Sequence, residues 1–142
     1  MADFIYPAVF TPDEEGGGFV VTFPDVPEAL TQGDTVEECL SEAVDCLEEA
    51  IAGYISAGLR IPVASKVREG QHAIQLPALM ALKAAMHSTM MEVHISNVAL
   101  GKKLGVNEKE VRRWRDPHHG TRLPTMERAL AALGKQLVIQ VR

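Results

Sequence analysis

The stretch from Ser96 to Trp114, SNVALGKKLGVNEKEVRRW, leaves the chain few ways to fold. Ser96 is a capping residue ahead of Leu100 and Leu104, which lie four apart on one helical face. Gly105 supplies the positive φ that ends such a helix tightly. Val106 closes the corner. Asn107 followed by Glu110 makes a capping box, which starts a second helix. Val111 and Trp114 anchor that helix on the first, and Gly101 leaves room for the two to cross closely. Two short helices crossing at about 90–120° form a helix-turn-helix.

On a wheel of about 100° per residue, Val111 and Trp114 define the buried side of the second helix. Lys109, Arg112, Arg113 and Asp116 lie opposite, so three cations stand on the face that a recognition helix places in a major groove. Arginine pairs bidentately with guanine, and a polar residue at the helix start reaches a base or a phosphate. The candidate DNA-contacting residues are therefore Ser96, Asn107, Lys109, Arg112, Arg113 and Arg122. The plainer reading of the same residues is a solvated helix hairpin with surface cations.

The charge distribution favours the DNA reading. Residues 1–83 hold 4 Lys/Arg and 14 Asp/Glu, whereas residues 84–142 hold 10 and 5. The overall charge of −5 thus hides an acidic first part and a basic second part. The acidic part repels nucleic acid and attracts a basic partner, while the basic part attracts phosphates.

In the first part, Phe4 to Thr11 and Phe19 to Phe23 are rich in strand formers and flank Asp13-Glu14-Glu15-Gly16-Gly17-Gly18. No helix and no Lys-Ser/Thr pair follows the glycines, and carboxylates precede them. A hairpin turn fits better than a phosphate cradle. Glu28 to Thr31 suggests a third strand. Thr35 with Glu38 makes a capping box for a helix to about Leu59, with Val36, Leu40, Ala43, Leu47, Ala50, Ile51 and Tyr54 inward. Glu37, Glu38, Glu42, Asp45, Glu48 and Glu49 cover its other side. After a loop over 62–70, Ala73 to Leu76 suggests a last strand, closed by Pro77. The result is a β-β-β-α-β unit over residues 1–77.

The second unit, residues 78–142, opens with a helix from Ala78 to Met91 whose inward positions are Leu79, Leu82, Ala85 and Met86. Asp116-Pro117 ends the recognition helix. A loop of His118 to Arg122 leads to a helix over Thr125–Leu133, with Met126, Leu130 and Leu133 inward. The segment Leu137-Val138-Ile139-Gln140-Val141 reads as a short strand. It is expected to pair with its twin in a homodimer or higher even oligomer, or with the first unit's sheet. The fold class is α+β followed by an all-α domain.

Several classes are set aside. With 46% hydrophobic and 23% charged residues the chain is a folded globular type. No run of about 18 apolar residues exists to span a membrane. Met1 to Phe10 lacks the pattern of a secretory signal, so a cytoplasmic location is expected. Cys39 and Cys46 lie about 10 Å apart along one helix, too far for a disulfide, and read as small buried hydrophobes. No metal-ligand spacing, nucleophile setting or catalytic carboxylate set is visible, and no cofactor is expected. The Met90-Met91 pair reads as packing, and His72 as a surface residue.

With these residues in view, the chain resembles the HicB antitoxin family. Tyr6 to Phe10, Gly18 to Pro27 and Gln32 to Leu40 are similar to that family's N-terminal domain. Leu100 to Trp114 with Leu130 to Val141 is similar to its branch with a Cro/repressor-type helix-turn-helix. Glu28-Ala29 stands where the family pattern has Gly-Cys, and Gly101 where it has Ala. The resemblance implies a partial RNase H-like N-terminal fold lacking the catalytic carboxylates. It also implies masking of a small basic mRNA-cleaving toxin, HicA, and autorepression of the shared operon. Toxin-contacting residues are not assigned by it. The alternatives are a stand-alone transcriptional regulator whose first domain senses a small ligand, and a nuclease.

Overall fold

The computed structural model describes residues 3–142. Met1 and Ala2 lie outside the described residues, and with them the first positions of the expected 1–77 unit. The order of elements is β1 (Ile5–Pro12), β2 (Phe19–Thr22), β3 (Leu30–Gly33), α1 (Val36–Ser56), β4 (His72–Gln75), α2 (Ala78–Val93), α3 (Asn97–Leu104), α4 (Glu108–Arg115) and α5 (Leu123–Ala132). The architecture is α+β, as expected, with helices following the sheet.

The sheet runs β3-β2-β1-β4 and all its pairs are antiparallel. The glycine turn is a hairpin loop. Asp13 accepts the N–H groups of Glu15 and Gly16 through its carboxylate, and the chain returns through left-handed Gly17 and Gly18. A Cβ on Gly18 would stand 2.3 Å from the carbonyl oxygen of Gly33, so only glycine fits between β2 and β3.

Thr35 caps α1 by accepting the N–H of Glu38 at 3.1 Å. The Glu38 carboxylate reaches back to the N–H of Asp34. The helix buries Cys39, Ala43, Leu47, Ile51, Ala52 and Ile55 against the sheet and α2. Four expected inward residues are not buried: Val36 and Leu40 are 42% and 37% exposed, and Ala50 and Tyr54 are half-buried. Val36 and Leu40 lie on the core side of the wheel, yet Cys39 between them is the residue that is buried there. Cys39 is fully buried, Cys46 half-buried, and both are free thiols. Tyr6 donates its hydroxyl to the Pro62 carbonyl at 2.6 Å, and burial pushes its pKa up to about 12. Asp25 accepts both the N–H and the hydroxyl of Ser65. These contacts pin the long connection from α1 to β4.

Among the described residues there are two hydrophobic clusters, and α2 contributes to both. Its Met80 and Ala84 join the sheet and α1, while Leu82, Met86 and Met90 join α3, α4 and α5. A helix gripped from two sides is buried almost all round, so Lys83, His87 and Thr89 are buried as well. The expected single stripe is corrected accordingly: Leu79 and Ala85 are only half-buried.

Of the two pairings expected for the C-terminal strand, the one with the first unit's sheet does not form. Residues 137–141 form no strand in the single chain, and the sheet does not include them. Val138, Ile139 and Val141 are 64%, 73% and 92% exposed. A strand needs a neighbour's backbone groups, and the segment lies on neither open edge of the sheet, β3 or β4.

Candidate nucleic-acid interface

Helices α3 and α4 are built as their caps dictate. Ser96 Oγ accepts the N–H of Ala99 at 3.0 Å, and Asn107 Oδ1 accepts that of Glu110 at 2.9 Å. Gly105 ends α3 at φ 71°, and the N–H of Val106 bonds back to the Gly101 carbonyl. A Cβ on Gly101 would stand 2.6 Å from the Val106 carbonyl oxygen, so the close approach expected there is real. Leu100, Val111 and Trp114 sit in the second cluster, no more than 6% exposed.

Across from Val111 and Trp114, Lys109, Arg112 and Arg113 are all exposed. Arg113 pairs with Glu110 at 3.1 Å and Arg112 with Glu108 at 4.0 Å. These two ion pairs were not anticipated from the wheel, although the i,i+3 and i,i+4 spacings carry the signal. Lys109, Arg112 and Arg113 also line an open cleft of about 580 Å³ with Asn97, Arg115 and the end of α1. Ser96 and Asn107 spend an acceptor on capping, but the hydroxyl hydrogen of one and the amide NH2 of the other remain as donors. Arg122 is exposed at the start of α5 and does not line the cleft.

Beneath the ridge lies a polar network that sequence reasoning missed. Arg115 donates to Asn97 Oδ1 at 2.9 Å and to His87 Nδ1 at 3.2 Å. His87 Nε2 donates to the Leu59 carbonyl at 2.8 Å. Lys83 donates to Thr121 Oγ1 at 2.6 Å and to the Arg113 carbonyl at 3.4 Å. Burial lowers the Lys83 pKa to about 8, against the opposing pull of Asp116. The last turn of α4 and the loop after it are thus fixed from below. His119 bonds Thr121 rather than joining a ligand set with His118. Among the described residues no group of His, Cys, Asp and Glu is placed to hold a metal ion.

The first part of the chain presents the opposite charge. Residues 1–59 contain 13 Asp/Glu and no Lys or Arg. Glu37, Glu38, Glu42, Asp45 and Glu49 are exposed along α1. Glu28 accepts the Tyr54 hydroxyl, which lowers its pKa and raises that of Tyr54. No helix among the described residues is long and apolar enough to cross a membrane.

Comparison with known proteins bears on both halves. The family described as HicB_like antitoxin of bacterial toxin-antitoxin system matches residues 5–85. Antitoxin HicB 1 of Photorhabdus laumondii is 38% identical over 136 residues, covering 96% of this chain and 86% of that protein. Antitoxin HicB 2 of the same organism is 40% identical over 132 residues, covering 93% and 92%. Antitoxin HicB of Escherichia coli K12 is 36% identical over 132 residues, covering 93% and 95%. The likeness therefore runs through the α3–α4 pair as well as the sheet, and this chain belongs to the HicB-like antitoxin family.

Proposed function

We propose that this protein neutralises a small basic HicA-type ribonuclease toxin with its first domain, residues 1–77, and represses its own operon with its second, residues 78–142. In this reading it works in the cytoplasm and is not itself an enzyme. The single observation that carries the DNA half is the exposed ridge of Lys109, Arg112 and Arg113 on a helix whose opposite side is buried. The α3–turn–α4 unit then acts as a helix-turn-helix, with α4 in the major groove. Exposed ion pairs such as Arg112–Glu108 contribute about 0–1 kcal/mol, so phosphates displace them at small cost. Ser96, Asn107 and Arg122 supply backbone-positioning contacts.

The toxin half is supported by family membership and by the acidic run before Arg60, which attracts a cationic protein. The β-β-β-α-β order is in keeping with a partial RNase H-like unit. In a homodimer or higher even oligomer, the exposed segment 137–141 finds in a second copy the neighbour it lacks alone. Two α4 ridges then meet half-sites about 34 Å apart.

Expression of the short basic reading frame beside this gene should arrest growth, and co-expression of this chain should restore it. Failure of rescue removes the toxin half. A fragment of the operon's own promoter should bind the purified chain in a salt-dependent way; absence of binding removes the DNA half.

A further inference from the structure

We propose that the sheet face turned away from α1 is the surface that holds the cationic partner; this rests on the antitoxin reading above. Strand register sorts the side chains into two sets. Tyr6, Ala8, Val21 and Ile74 point toward α1 and are at most 2% exposed. The alternate set, which includes Ile5, Val9, Val20, Thr22, Leu30 and Gln32, points the other way. Thr22, Leu30 and Gln32 are exposed, Leu30 to 63%.

This outward face carries no charge at any position of the four strands. A sheet face that stays wet is normally polar, and in so acidic a domain it would be expected to hold carboxylates. Here the exposed carboxylates stand at the ends of strands instead: Asp3 before β1, and Glu14 and Glu15 in the hairpin. Charge excluded from the centre and kept at the rim is the anatomy of a surface that becomes dehydrated on binding, because burying an unpaired carboxylate is strongly unfavourable.

Charge also selects the occupant. Two copies meeting through this face would bring together two acidic runs that contain no cation, and would repel. A protein that presents an aliphatic patch ringed by lysines and arginines gains on both counts. The occupant is therefore the basic partner and not a second copy of this chain.

The test uses the full chain and the purified product of the short basic reading frame beside its gene. Thr22→Arg with Gln32→Arg places cations at two exposed outward positions. The dissociation constant, measured by calorimetry, should rise by at least about tenfold, with the thermal midpoint and promoter-fragment binding unchanged. Glu42→Lys with Glu49→Lys, on the exposed side of α1, should weaken binding much less. Should the arginine variant misfold, Leu30→Ala, which removes one exposed side chain, should still weaken binding several-fold. An unchanged constant in the arginine variant and in Leu30→Ala overturns the assignment and leaves the antitoxin reading standing. So does a change of oligomeric state by sedimentation, which would make the face a contact between copies. If the wild-type chain does not bind the basic product at all, the antitoxin reading itself fails.

Discussion

Arg115 Nη2 lies 3.2 Å from Nδ1 of His87, and Nε2 of the same ring lies 2.8 Å from the Leu59 carbonyl oxygen. A guanidinium only donates and a carbonyl only accepts. His87 is therefore neutral, with its proton on Nε2. Burial lowers its pKa below the ordinary 6.5, and Arg115, the charged group in contact with it, acts in the same direction. The unfolded chain binds this proton more readily than the folded one, so stability is fully present above pH 6.5 and falls as pH drops through that value toward the folded pKa. Denaturant midpoints between pH 7.5 and 5 should decline more steeply for the wild type than for His87→Gln, which keeps one donor and one acceptor without titrating. Parallel curves would show that the ring is not held as described.

Lys83 shows the same sign at the other end of the scale. Its ammonium is buried, and its folded pKa of about 8 lies below the ordinary 10.5. Between those values the unfolded chain carries a proton that the folded chain has released. Stability from this group should thus rise with pH through that window, by up to about 1.4 kcal/mol per pH unit. Lys83→Met removes the titration and fills much of the same volume. Comparing midpoints of the two proteins from pH 7 to 10 should show the wild type gaining on the variant, and a constant difference would refute it.

The parts of the fold that were legible are those set by local chemistry. Thr35, Ser96 and Asn107 each cap the helix their spacing announces, and Gly105 ends α3 in the left-handed region. The α4 ridge was legible because Val111 and Trp114 fix the wheel by themselves. What escaped is non-local. The burial of Lys83 and His87 depends on α2 being enclosed by two clusters, and a hydrophobic stripe read for one contact cannot reveal a second. Val36 and Leu40 keep the correct period yet stay exposed on either side of the buried Cys39, which no periodicity reports. The tail 137–141 reads as a strand by composition, yet composition supplies no partner for it. The charge-free sheet face was invisible until register assigned each residue a side.

The turn between α3 and α4 should be sensitive to small changes. Gly105 sits at φ 71°, with open space around it. Gly105→Ala should cost about 1 kcal/mol from backbone strain alone. Gly101→Val should cost more, since even a Cβ there would meet the Val106 carbonyl oxygen at 2.6 Å and the branched methyls add to the crowding. Chemical denaturation should rank the variants in that order. Equal losses would mean that the two helices separate easily, which contradicts the close crossing.

Arg112→Ala and Arg113→Ala test the ridge. Both side chains are exposed and their ion pairs are intrahelical, so either change should alter stability by no more than about 0.5 kcal/mol. Promoter binding should respond much more. An arginine that reads a guanine edge should lose about 1–3 kcal/mol on the cognate sequence, with relaxed preference at one base pair. An arginine that meets only phosphate should weaken all sequences alike and flatten the logarithmic salt dependence by about one unit. Partner-protein binding should be unchanged in both, because the acidic first part of the chain is untouched. Glu110→Gln frees Arg113 and removes a carboxylate from the same ridge, so it should tighten binding to any duplex. If neither arginine variant changes promoter binding, α4 is not the element in the groove.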